Sequence, residues 1–319
     1  MMLPTHFYRT AQGRRVSTLG LGTYLGGADD ETDSRYTEAV RAAVAGGINV
    51  IDTAINYRHQ RSERSIGSAL RGLERSGLLV CTKAGFLTPG AVPEGVLRDG
   101  DVVGRMHSMA PDFLADQIDR SRANLGMDTI DVFYLHNPET QLGFVSRDEF
   151  HARIGAAFAR LEQLVAAGKI GWYGTATWDG YRKAGKLDLN TLLEIANREG
   201  GPEHHFRFIQ IPFNLGMVES FVSQPGRPGV LEISAAAGVT AIASATLMQA
   251  SLTSDMPEGV IERLPGLATN AQRAIQFTRS TPGIAVALVG MSGAAHVVEN
   301  LGIAQVPPLT RDEYMRLYQ

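Results

Sequence analysis

Residues 47–57 read GINVIDTAINY, an apolar run that ends in Asp52 and is followed five positions later by Tyr57. Short apolar runs rich in β-branched residues are typical of buried β-strands. A carboxylate at the end of such a strand is costly unless a cation or hydrogen-bond donors compensate its charge. The segment therefore predicts a buried strand whose carboxyl end carries a paired acidic side chain.

The same pattern recurs along the chain, and each apolar run is followed by a longer segment with helical spacing of apolar residues. We predict eight strands, at Leu19–Gly22, Asn49–Asp52, Leu79–Lys83, Ile130–Leu135, Ile170–Thr175, Phe208–Ile211, Thr240–Ser244 and Ala285–Val289. The clearest predicted helices are Arg35–Ala45, Glu63–Arg75, Pro111–Leu125, Arg147–Ala167, Leu189–Glu199 and Ala294–Ile303. This alternation, with no linker-like stretch, predicts an α/β fold: one (β/α)8 TIM-barrel domain over residues 1–319.

Four segments lie outside the regular repeat. We expect Phe7–Ser17 to form an N-terminal hairpin that closes one end of the barrel, and Arg311–Tyr318 to form an extra C-terminal helix. The long loops Ala84–Ala110 and Thr246–Ala268 both follow predicted strands. Loops in that position lie at the carboxyl end of a barrel, where active sites are built.

Composition excludes several classes of protein. Thirty basic and 33 acidic residues leave a net charge of −3, whereas a nucleic-acid-binding protein is expected to carry an excess of basic residues. The single cysteine, Cys81, excludes an intramolecular disulfide and a cysteine-cluster metal site. The chain has neither a signal-peptide pattern nor an apolar run of about 18 residues. We expect a cytoplasmic protein with a small-molecule partner, and the oligomeric state stays open.

Three consecutive predicted strands end in chemically active residues, namely Asp52, Lys83 and His136, and Tyr57 follows the first of them. Inward side chains at similar height on neighbouring strands can meet. Asp52 can keep Lys83 protonated, and that ammonium is expected to lower the pKa of Tyr57. His136 can orient a carbonyl oxygen by donating a hydrogen bond. Together they would form a proton donor aimed at a developing alkoxide.

Each of these residues also has an ordinary structural interpretation, because caps, packed lysines and core histidines are common. The shared position at strand ends favours the joint site.

The stretch GLGTYLGG, residues 20–27, invites a dinucleotide-fold interpretation, but it lacks the GxGxxG spacing and an acidic residue about 20 positions later. Its glycines are better interpreted as part of the first barrel strand, and Cys81 as a core residue.

Several motifs occur in one order over nearly the whole chain and resemble the aldo-keto reductase family. They are GLGT (20–23), NVIDTAINY (49–57), SERSIGSAL (62–70), TK (82–83), YLHNP (134–138), GKIGWYGTATW (168–178), QIPFNL (210–215) and LVGMSGAAHVVENL (288–301). The resemblance implies a (β/α)8 barrel, no metal and an extended nicotinamide cofactor. Matched residue by residue, it assigns the family's catalytic roles to Asp52, Tyr57, Lys83 and His136.

The resemblance also implies cofactor contacts, with two departures. The family's Ser-Asn pair after the fifth strand is Ala176-Thr177 here, and its nicotinamide-stacking aromatic after the seventh strand is Ser244. Gln210 matches the carboxamide contact, and Glu299 and Asn300 match the adenine contacts. The expected cofactor-binding residues are Gly22, Thr23, Asp52, Thr177, Gln210, Ser244, Gly290, Met291, Ser292, His296, Glu299 and Asn300.

The loop into the last helix bears on the choice between NAD(H) and NADP(H). Members of the family that prefer NADP carry basic residues there, whereas this chain has Gly290, Met291, Ser292 and then His296. A 2′-phosphate ordinarily requires a charge-assisted partner, so the sequence favours NAD(H) unless His296 or a distant arginine supplies one. The ASAT run (243–246) and this loop resemble the NAD-using sugar dehydrogenases of the family, such as the L-galactose dehydrogenase group.

The predicted activity is hydride transfer between a nicotinamide and an aldehyde, ketone or sugar, with Tyr57 as general acid or base. One alternative is a nicotinamide-binding sensor or regulatory subunit. Another is an isomerase or lyase that uses the phosphate site for its substrate. Gln210 and Asn300 argue against it, because they occupy the positions expected to contact a nucleotide.

The expected pocket residues are Tyr24, Tyr57, Phe86, His136, Trp178 and Phe213. Arg98, Arg105 and His107 face either the substrate or solvent, and the substrate itself is not determined.

Overall fold

The computed structural model describes residues 3–222, 228–254 and 256–318. In chain order its strands are β1 (Tyr8–Ala11), β2 (Arg14–Ser17), β3 (Leu19–Gly22), β4 (Val50–Asp52), β5 (Leu79–Ala84), β6 (Val102–Val103), β7 (His107–Ser108), β8 (Ile130–His136), β9 (Ile170–Ala176), β10 (Phe206–Pro212), β11 (Thr240–Ser244) and β12 (Ile284–Gly290). Its α-helices are α1 (Asp30–Ala45), α2 (Arg61–Leu70), α3 (Pro111–Leu125), α4 (Arg147–Ala166), α5 (Leu189–Gly200), α6 (Val230–Ala236), α7 (Glu258–Arg263), α8 (Asn270–Ser280), α9 (Ala294–Leu301) and α10 (Arg311–Met315).

Eight parallel strands close into a barrel, in the order β3, β4, β5, β8, β9, β10, β11 and β12, with β12 paired to β3. The predicted barrel is therefore confirmed, and each predicted strand lies on an observed one. Some helix ends differ from the prediction. Helix α1 begins at Asp30 because the Asp29 side chain accepts from the Thr32 amide, and α2 ends at Leu70 because Arg71 is extended.

Helix α8 has no counterpart among the predicted helices, although its apolar residues Ala271, Ala274 and Ile275 recur at helical spacing and are buried. Its polar residues Gln272, Gln276 and Arg279 are buried as well. They donate to backbone carbonyls of the C-terminal segment, including those of Glu299, Pro307 and Ile303. Hydrogen bonds to the C-terminal segment thus add to apolar packing in holding this helix in place.

The N-terminal hairpin and the C-terminal helix are both confirmed. Strands β1 and β2 pair antiparallel, and Ala11 and Val16 pack against residues of the barrel interior. Helix α10 begins with a capping box in which Thr310 and Glu313 satisfy each other's backbone amides. Neither element contributes a residue to the cavity described below.

Side chains alternate between the barrel interior and the layer beneath the helices. Cys81 is fully buried in the interior cluster with residues such as Val50, Val132 and Tyr134, as the sequence predicts. Interior residues of neighbouring strands interlock in the way expected of a packed TIM barrel. Cys81 is therefore a core residue.

The two long loops at the carboxyl end differ in structure. Residues 85–110 contain the small hairpin β6–β7, which pairs Val103 with His107. Residues 246–268 contain α7 and a short 3-10 turn at Ser251–Thr253, and position 255 lies outside the described residues. Within the described part of the chain, no helix combines the length and the apolar character that crossing a bilayer requires.

Gly174, on β9, provides a test of how tightly the barrel is packed. A Cβ atom at this position would lie far inside contact distance of the Phe208 carbonyl oxygen on β10. We expect Gly174→Ala to lower the free energy of unfolding by at least about 1–3 kcal/mol, because two strand backbones must move apart. The change is measured by urea denaturation.

The matched control is Gly259→Ala in α7, where an added Cβ would meet nothing within 4 Å. Helix propensity predicts a neutral or slightly favourable effect there, of up to about 1 kcal/mol. Equal midpoints for Gly174→Ala and wild type would contradict the close approach of the two strands.

Candidate active site

Neighbouring strands of the barrel place the four sequence-predicted residues together. Asp52 is the last residue of β4, Lys83 lies near the end of β5, and His136 is the last residue of β8. The Lys83 Nζ lies 2.6 Å from Asp52 Oδ2 and 3.4 Å from Tyr57 Oη. The ring centroids of Tyr57 and His136 are 5.7 Å apart. The shared register of the strand ends thus produces one cluster.

The Lys83–Asp52 ion pair is buried and hydrogen-bonded on both sides. Lys83 also donates to the Thr53 carbonyl oxygen at 2.7 Å, and Gln210 Nε2 donates to Asp52 Oδ1 at 2.7 Å. Burial alone would lower the pKa of Lys83, but the negative Asp52 carboxylate and Tyr57 outweigh it and raise that pKa. Lys83 therefore remains an ammonium at neutral pH.

Tyr57 differs from the sequence-based expectation. Burial raises the pKa of Tyr57, and this effect exceeds the lowering caused by the Lys83 ammonium. The expected lowering by Lys83 is present, but the net shift of the Tyr57 pKa is upward, because the sequence does not show how completely the phenol is removed from water. Tyr57 is consequently a neutral phenol in the free site, in the state required of a proton donor.

His136 is uncharged in this environment. Burial lowers its pKa well below the ordinary value, with further lowering from Lys83 and His107. Its ring meets Phe86 edge-on at 5.2 Å between centroids. Among the described residues, its buried Nδ1 has no hydrogen-bond partner. A neutral imidazole next to Tyr57 can donate one hydrogen bond to a carbonyl oxygen.

The turn that carries Tyr57 is held by an arginine that the sequence analysis missed. Arg58 donates to the carbonyl oxygens of Gly27 and Asp29 and forms an ion pair with Asp33. Arg58 itself has a φ of 51°, a left-handed conformation that is uncommon for non-glycine residues. The hydrogen bonds of the buried guanidinium offset the energetic cost of that conformation, and they fix the loop against α1. No sequence signal would have identified this role.

The cluster opens into a cavity of about 550 Å³, which is the size of a ligand-binding site. Its lining residues are Gly22, Thr23, Tyr24, Leu25, Asp52, Asn56, Tyr57, Phe86, His136, Asn137, Ala176, Thr177, Trp178, Gln210, Ser244, Ala245, Thr246, Leu247, Gln249, Ala250, Leu288 and Gly290. The predicted wall residues Tyr24, Phe86 and Trp178 are among them. Asn56 and Asn137 were not predicted, whereas Thr246, Leu247, Gln249 and Ala250 belong to the long loop that the sequence placed at this end of the barrel.

Phe213 does not line the cavity, so its predicted place in the pocket is corrected. It is fully buried and stacks on Phe277 of α8 at 6.1 Å between ring centroids. Side chains alternate along β10, and Phe208 and Gln210 point into the barrel. The odd-numbered residue Phe213 therefore faces the helix layer.

The three polar residues of the first long loop occupy different environments. Arg98 is exposed and forms an ion pair with Asp112, and Arg105 is exposed. His107 faces neither substrate nor solvent, because it is fully buried beneath the cluster. Both alternatives that the sequence left open for His107 are therefore wrong.

Glu139 fixes the loop that bears Trp178. Its Oε1 accepts hydrogen bonds from the backbone amides of Trp178, Asp179 and Gly180 at 2.9, 3.0 and 3.1 Å. Burial raises the pKa of Glu139, and these amides oppose that rise. The buried carboxyl group thus ties the loop after β9 to the segment that follows His136.

The residues expected to bind a cofactor form two groups. Gly22, Thr23, Asp52, Thr177, Gln210, Ser244 and Gly290 line the cavity. Met291 is buried, Ser292 is partly buried, and His296 and Glu299 are exposed on the loop and helix that follow. Thr177 Oγ1 and Asn300 Oδ1 are buried without a hydrogen-bond partner in the described part of the chain. Such orphaned polar atoms fit a ligand with amide and heterocyclic groups.

An arginine reaches the loop that the sequence shows without a basic residue. Arg35 of α1 donates from Nε to the Ser292 carbonyl oxygen at 3.3 Å and from Nη2 to Ser292 Oγ at 3.1 Å. Residues 290–292 themselves carry no basic side chain, and Arg35 is a distant arginine of the kind that the sequence analysis left open. Arg35 lies 257 residues before Ser292, so only the packing of α1 beside α9 brings them together.

The closed barrel, the strand-end cluster and the adjoining cavity together place the chain among TIM-barrel proteins with a ligand-sized pocket at the carboxyl end of the strands. Comparison with known families agrees, because residues 18–319 match the model described as the Aldo/keto reductase family. The chain belongs to that family.

Two curated relatives are similar over part of their length. An NADH-specific methylglyoxal reductase from Escherichia coli K12 is 28% identical over 190 residues, which are 54% of this chain and 54% of that protein. A D-threo-aldose 1-dehydrogenase from a Pseudomonas species is 29% identical over 204 residues, or 59% of each. The chain thus spans little more than half the length of the curated relatives it matches.

Solved structures agree in fold. A holo aldo-keto reductase from Bacillus halodurans has a TM-score of 0.71 at 20% identity, covering 98% of this chain and 95% of that one. An aldo/keto reductase from Klebsiella pneumoniae, solved with NADP and acetate, has a TM-score of 0.70 at 21% identity, covering 98% and 94%. At 20–21% identity the similarity establishes the barrel fold, and it does not establish the substrate or the cofactor.

Removal of Lys83 tests the ion pair. With Lys83→Met, burial raises the pKa of Asp52 without an opposing ammonium. We expect the free energy of unfolding near neutral pH to fall by roughly 3–5 kcal/mol, because a buried charge loses its partner. Burial already raises the pKa of Asp52 in the intact protein, and loss of the opposing ammonium raises it further, so the stability lost in the variant shrinks as pH falls from about 7 to about 5 and Asp52 takes up a proton.

Urea denaturation at both pH values measures this change. The double variant Asp52→Asn/Lys83→Met is the control, because it removes both charges and keeps an acceptor for Gln210. It should be more stable than the single variant near neutral pH. Equal free energies of unfolding for the single and the double variant at both pH values would contradict a charged Asp52.

Proposed function

We propose that this protein is an NAD(P)-dependent oxidoreductase that transfers hydride between a nicotinamide and an uncharged aldehyde, ketone or sugar. The observation that carries the proposal is the Tyr57 phenol, held 3.4 Å from the Lys83 ammonium and beside the neutral His136 at the base of the cavity. Family membership supports the same reaction class.

In the proposed mechanism, Tyr57 is the general acid in reduction and the general base in oxidation. A reduced nicotinamide supplies the hydride when bound. His136 donates a hydrogen bond to the carbonyl oxygen and orients it toward the Tyr57 hydroxyl. As negative charge develops on that oxygen, Tyr57 gives up its proton, and Lys83 stabilises the resulting phenolate. Asp52 keeps Lys83 charged and in place.

The cavity supports an uncharged substrate. Among its described lining residues, Asp52 alone carries a charge, and that charge is paired with Lys83. The walls formed by Tyr24 and Trp178 are apolar. Asn56 Oδ1 is buried without a partner in the described ranges, which provides an acceptor for a substrate hydroxyl. An anionic substrate would find no cation exposed in this lining.

For the cofactor, we propose NAD(H) as the preferred form, bound by Gln210, Thr177, Asn300 and the loop 290–292. That loop carries no basic side chain of its own. Arg35 is exposed, but its Nε and Nη2 already donate to Ser292, so it offers a 2′-phosphate only its remaining donors and NADP(H) is accepted less tightly than NAD(H). We further propose a cytoplasmic location and a single domain, from the single cysteine and the unbroken alternation of strands and helices.

Tyr57→Phe tests the proton donor. Because a positioned general acid contributes roughly 10²–10⁴-fold to rate, we expect kcat to fall by about that factor. NADH affinity, measured by fluorescence titration, should stay within about twofold, since the ring remains in place. Turnover is followed by the absorbance of reduced nicotinamide over a panel of aldehydes, ketones and sugars. Wild-type binding of NADH without turnover on any of them would contradict the proposed enzyme.

Arg35→Ala tests the cofactor preference. Wild type should bind NADH more tightly than NADPH. In the variant, NADPH affinity should fall by about 10-fold or more, because a charge-assisted hydrogen bond contributes roughly 1.5–3 kcal/mol, whereas NADH affinity should hardly change. Arg41→Ala on the same helix is the control, because Arg41 donates to the Ser68 carbonyl away from the loop. Tighter binding of NADPH than of NADH by wild type would overturn the preference.

A further inference from the structure

A hydrogen-bonded chain runs beneath the cavity to the backbone of His136. Arg153 Nη1 donates to Gln141 Oε1 at 3.0 Å, Gln141 Nε2 lies 3.1 Å from His107 Nδ1, and His107 Nε2 lies 2.8 Å from the His136 carbonyl oxygen. Gln141 and His107 are both fully buried. The proposed mechanism uses none of the first three residues.

The direction of each hydrogen bond follows from the chemistry of the donors. A guanidinium can only donate, so the Gln141 oxygen must face Arg153 and its amide nitrogen must face His107. That nitrogen in turn can only donate, so His107 Nδ1 accepts. The proton of the neutral imidazole is then on Nε2 and is donated to the His136 carbonyl. Burial lowers the pKa of His107 to about 4, which keeps this neutral form at physiological pH.

The position of the His136 ring depends on its backbone. Its Nδ1 has no hydrogen-bond partner among the described residues, so no side chain there fixes the ring through that atom. Immediately after it, Asn137 takes a left-handed φ of 50°, and the Asn137 amide donates to the Ala176 carbonyl at 2.7 Å. The His107 bond is therefore the side-chain contact that holds the His136 carbonyl at this turn.

The same histidine also positions Phe86, a wall of the cavity. The Phe86 ring lies edge-on to both His107 and His136, at 5.2 Å between centroids in each case. Gly85 permits this approach, because a Cβ there would lie 2.5 Å from the His136 carbonyl oxygen and 2.7 Å from His107 Nε2. Gly85 and the buried His107 imidazole thus meet at the His136 carbonyl, and the Phe86 ring packs against both histidine rings.

We propose that His107 is a positioning residue that holds His136 at the reacting carbonyl, with Gln141 and Arg153 fixing its tautomer. The proposal rests on the proposed function, because it assigns His136 a hydrogen bond to substrate. Its effect is expected on turnover rather than on cofactor binding. A misplacement of about 1 Å in a catalytic group can reduce rate by about 10²-fold, so loss of the His107 bond should be clearly measurable.

The test is a pair of substitutions at one position. His107→Leu removes the donor to the His136 carbonyl and should lower kcat by about 10- to 100-fold, with NADH affinity within about twofold of wild type. His107→Gln places an amide nitrogen near the former Nε2 and should retain kcat within about fivefold. Equal losses in the Leu and Gln variants would overturn the proposal.

A double-mutant cycle separates positioning from a merely structural role. If His107 acts through His136, His107→Leu should change kcat by less than about twofold in a His136→Asn background, because coupled residues are non-additive. The same fold-loss in both backgrounds would overturn the proposal. If His107→Leu does not fold, Gln141→Leu, which removes the donor to Nδ1, takes its place in the cycle with the same criteria.

Nitrogen-15 NMR of the histidine rings provides a readout that needs no turnover. The proposal requires the His107 ring proton on Nε2, and a proton on Nδ1 would overturn it. An enzyme that binds NADH but turns over no carbonyl or sugar would refute the proposed function, and the NMR result would still decide whether the hydrogen-bonded chain exists as described.

Discussion

The buried contact between Lys83 and Asp52 is the interaction on which the site depends. The two side chains meet at 2.6 Å, and each is almost fully removed from water. Removing both charges from water costs more than their attraction returns unless further hydrogen bonds satisfy them. Thr53, Tyr57 and Gln210 supply those bonds, so the pair joins β4, β5 and β10. The closed barrel makes this possible, because it brings strand ends that are far apart in sequence to one place.

The ion pair also explains the protonation states around it. Burial favours neutral groups. It raises the pKa of Tyr57 and lowers the pKa of His136, so both side chains are uncharged. Lys83 is the exception because Asp52 compensates it. The result is one cation beside two neutral donors. This combination suits a site that must stabilise a negative charge appearing on a substrate oxygen during reaction.

Loops outside the barrel bring the remaining groups to this centre, and each is anchored by a buried polar side chain. Arg58 holds the turn after β4, Glu139 the loop after β9, and His107 the loop after β5. Polar anchors of this kind require exact distances and angles, unlike apolar contacts. They fix the geometry of the cluster, and they leave the inner lining of the cavity free for ligands.

The sequence by itself determined the barrel, because the alternation of apolar runs and helical segments is a local property of the chain. It also determined the candidate cluster, since Asp52, Lys83 and His136 each end a strand and parallel strand ends must meet. Tertiary structure alone decided the contacts between distant residues. Arg35 reaches Ser292, His107 is buried beneath His136, and Phe213 faces α8 rather than the cavity. The net pKa shift of Tyr57 was also decided by the tertiary structure. Burial depends on every element that surrounds a side chain, and local sequence patterns do not encode it.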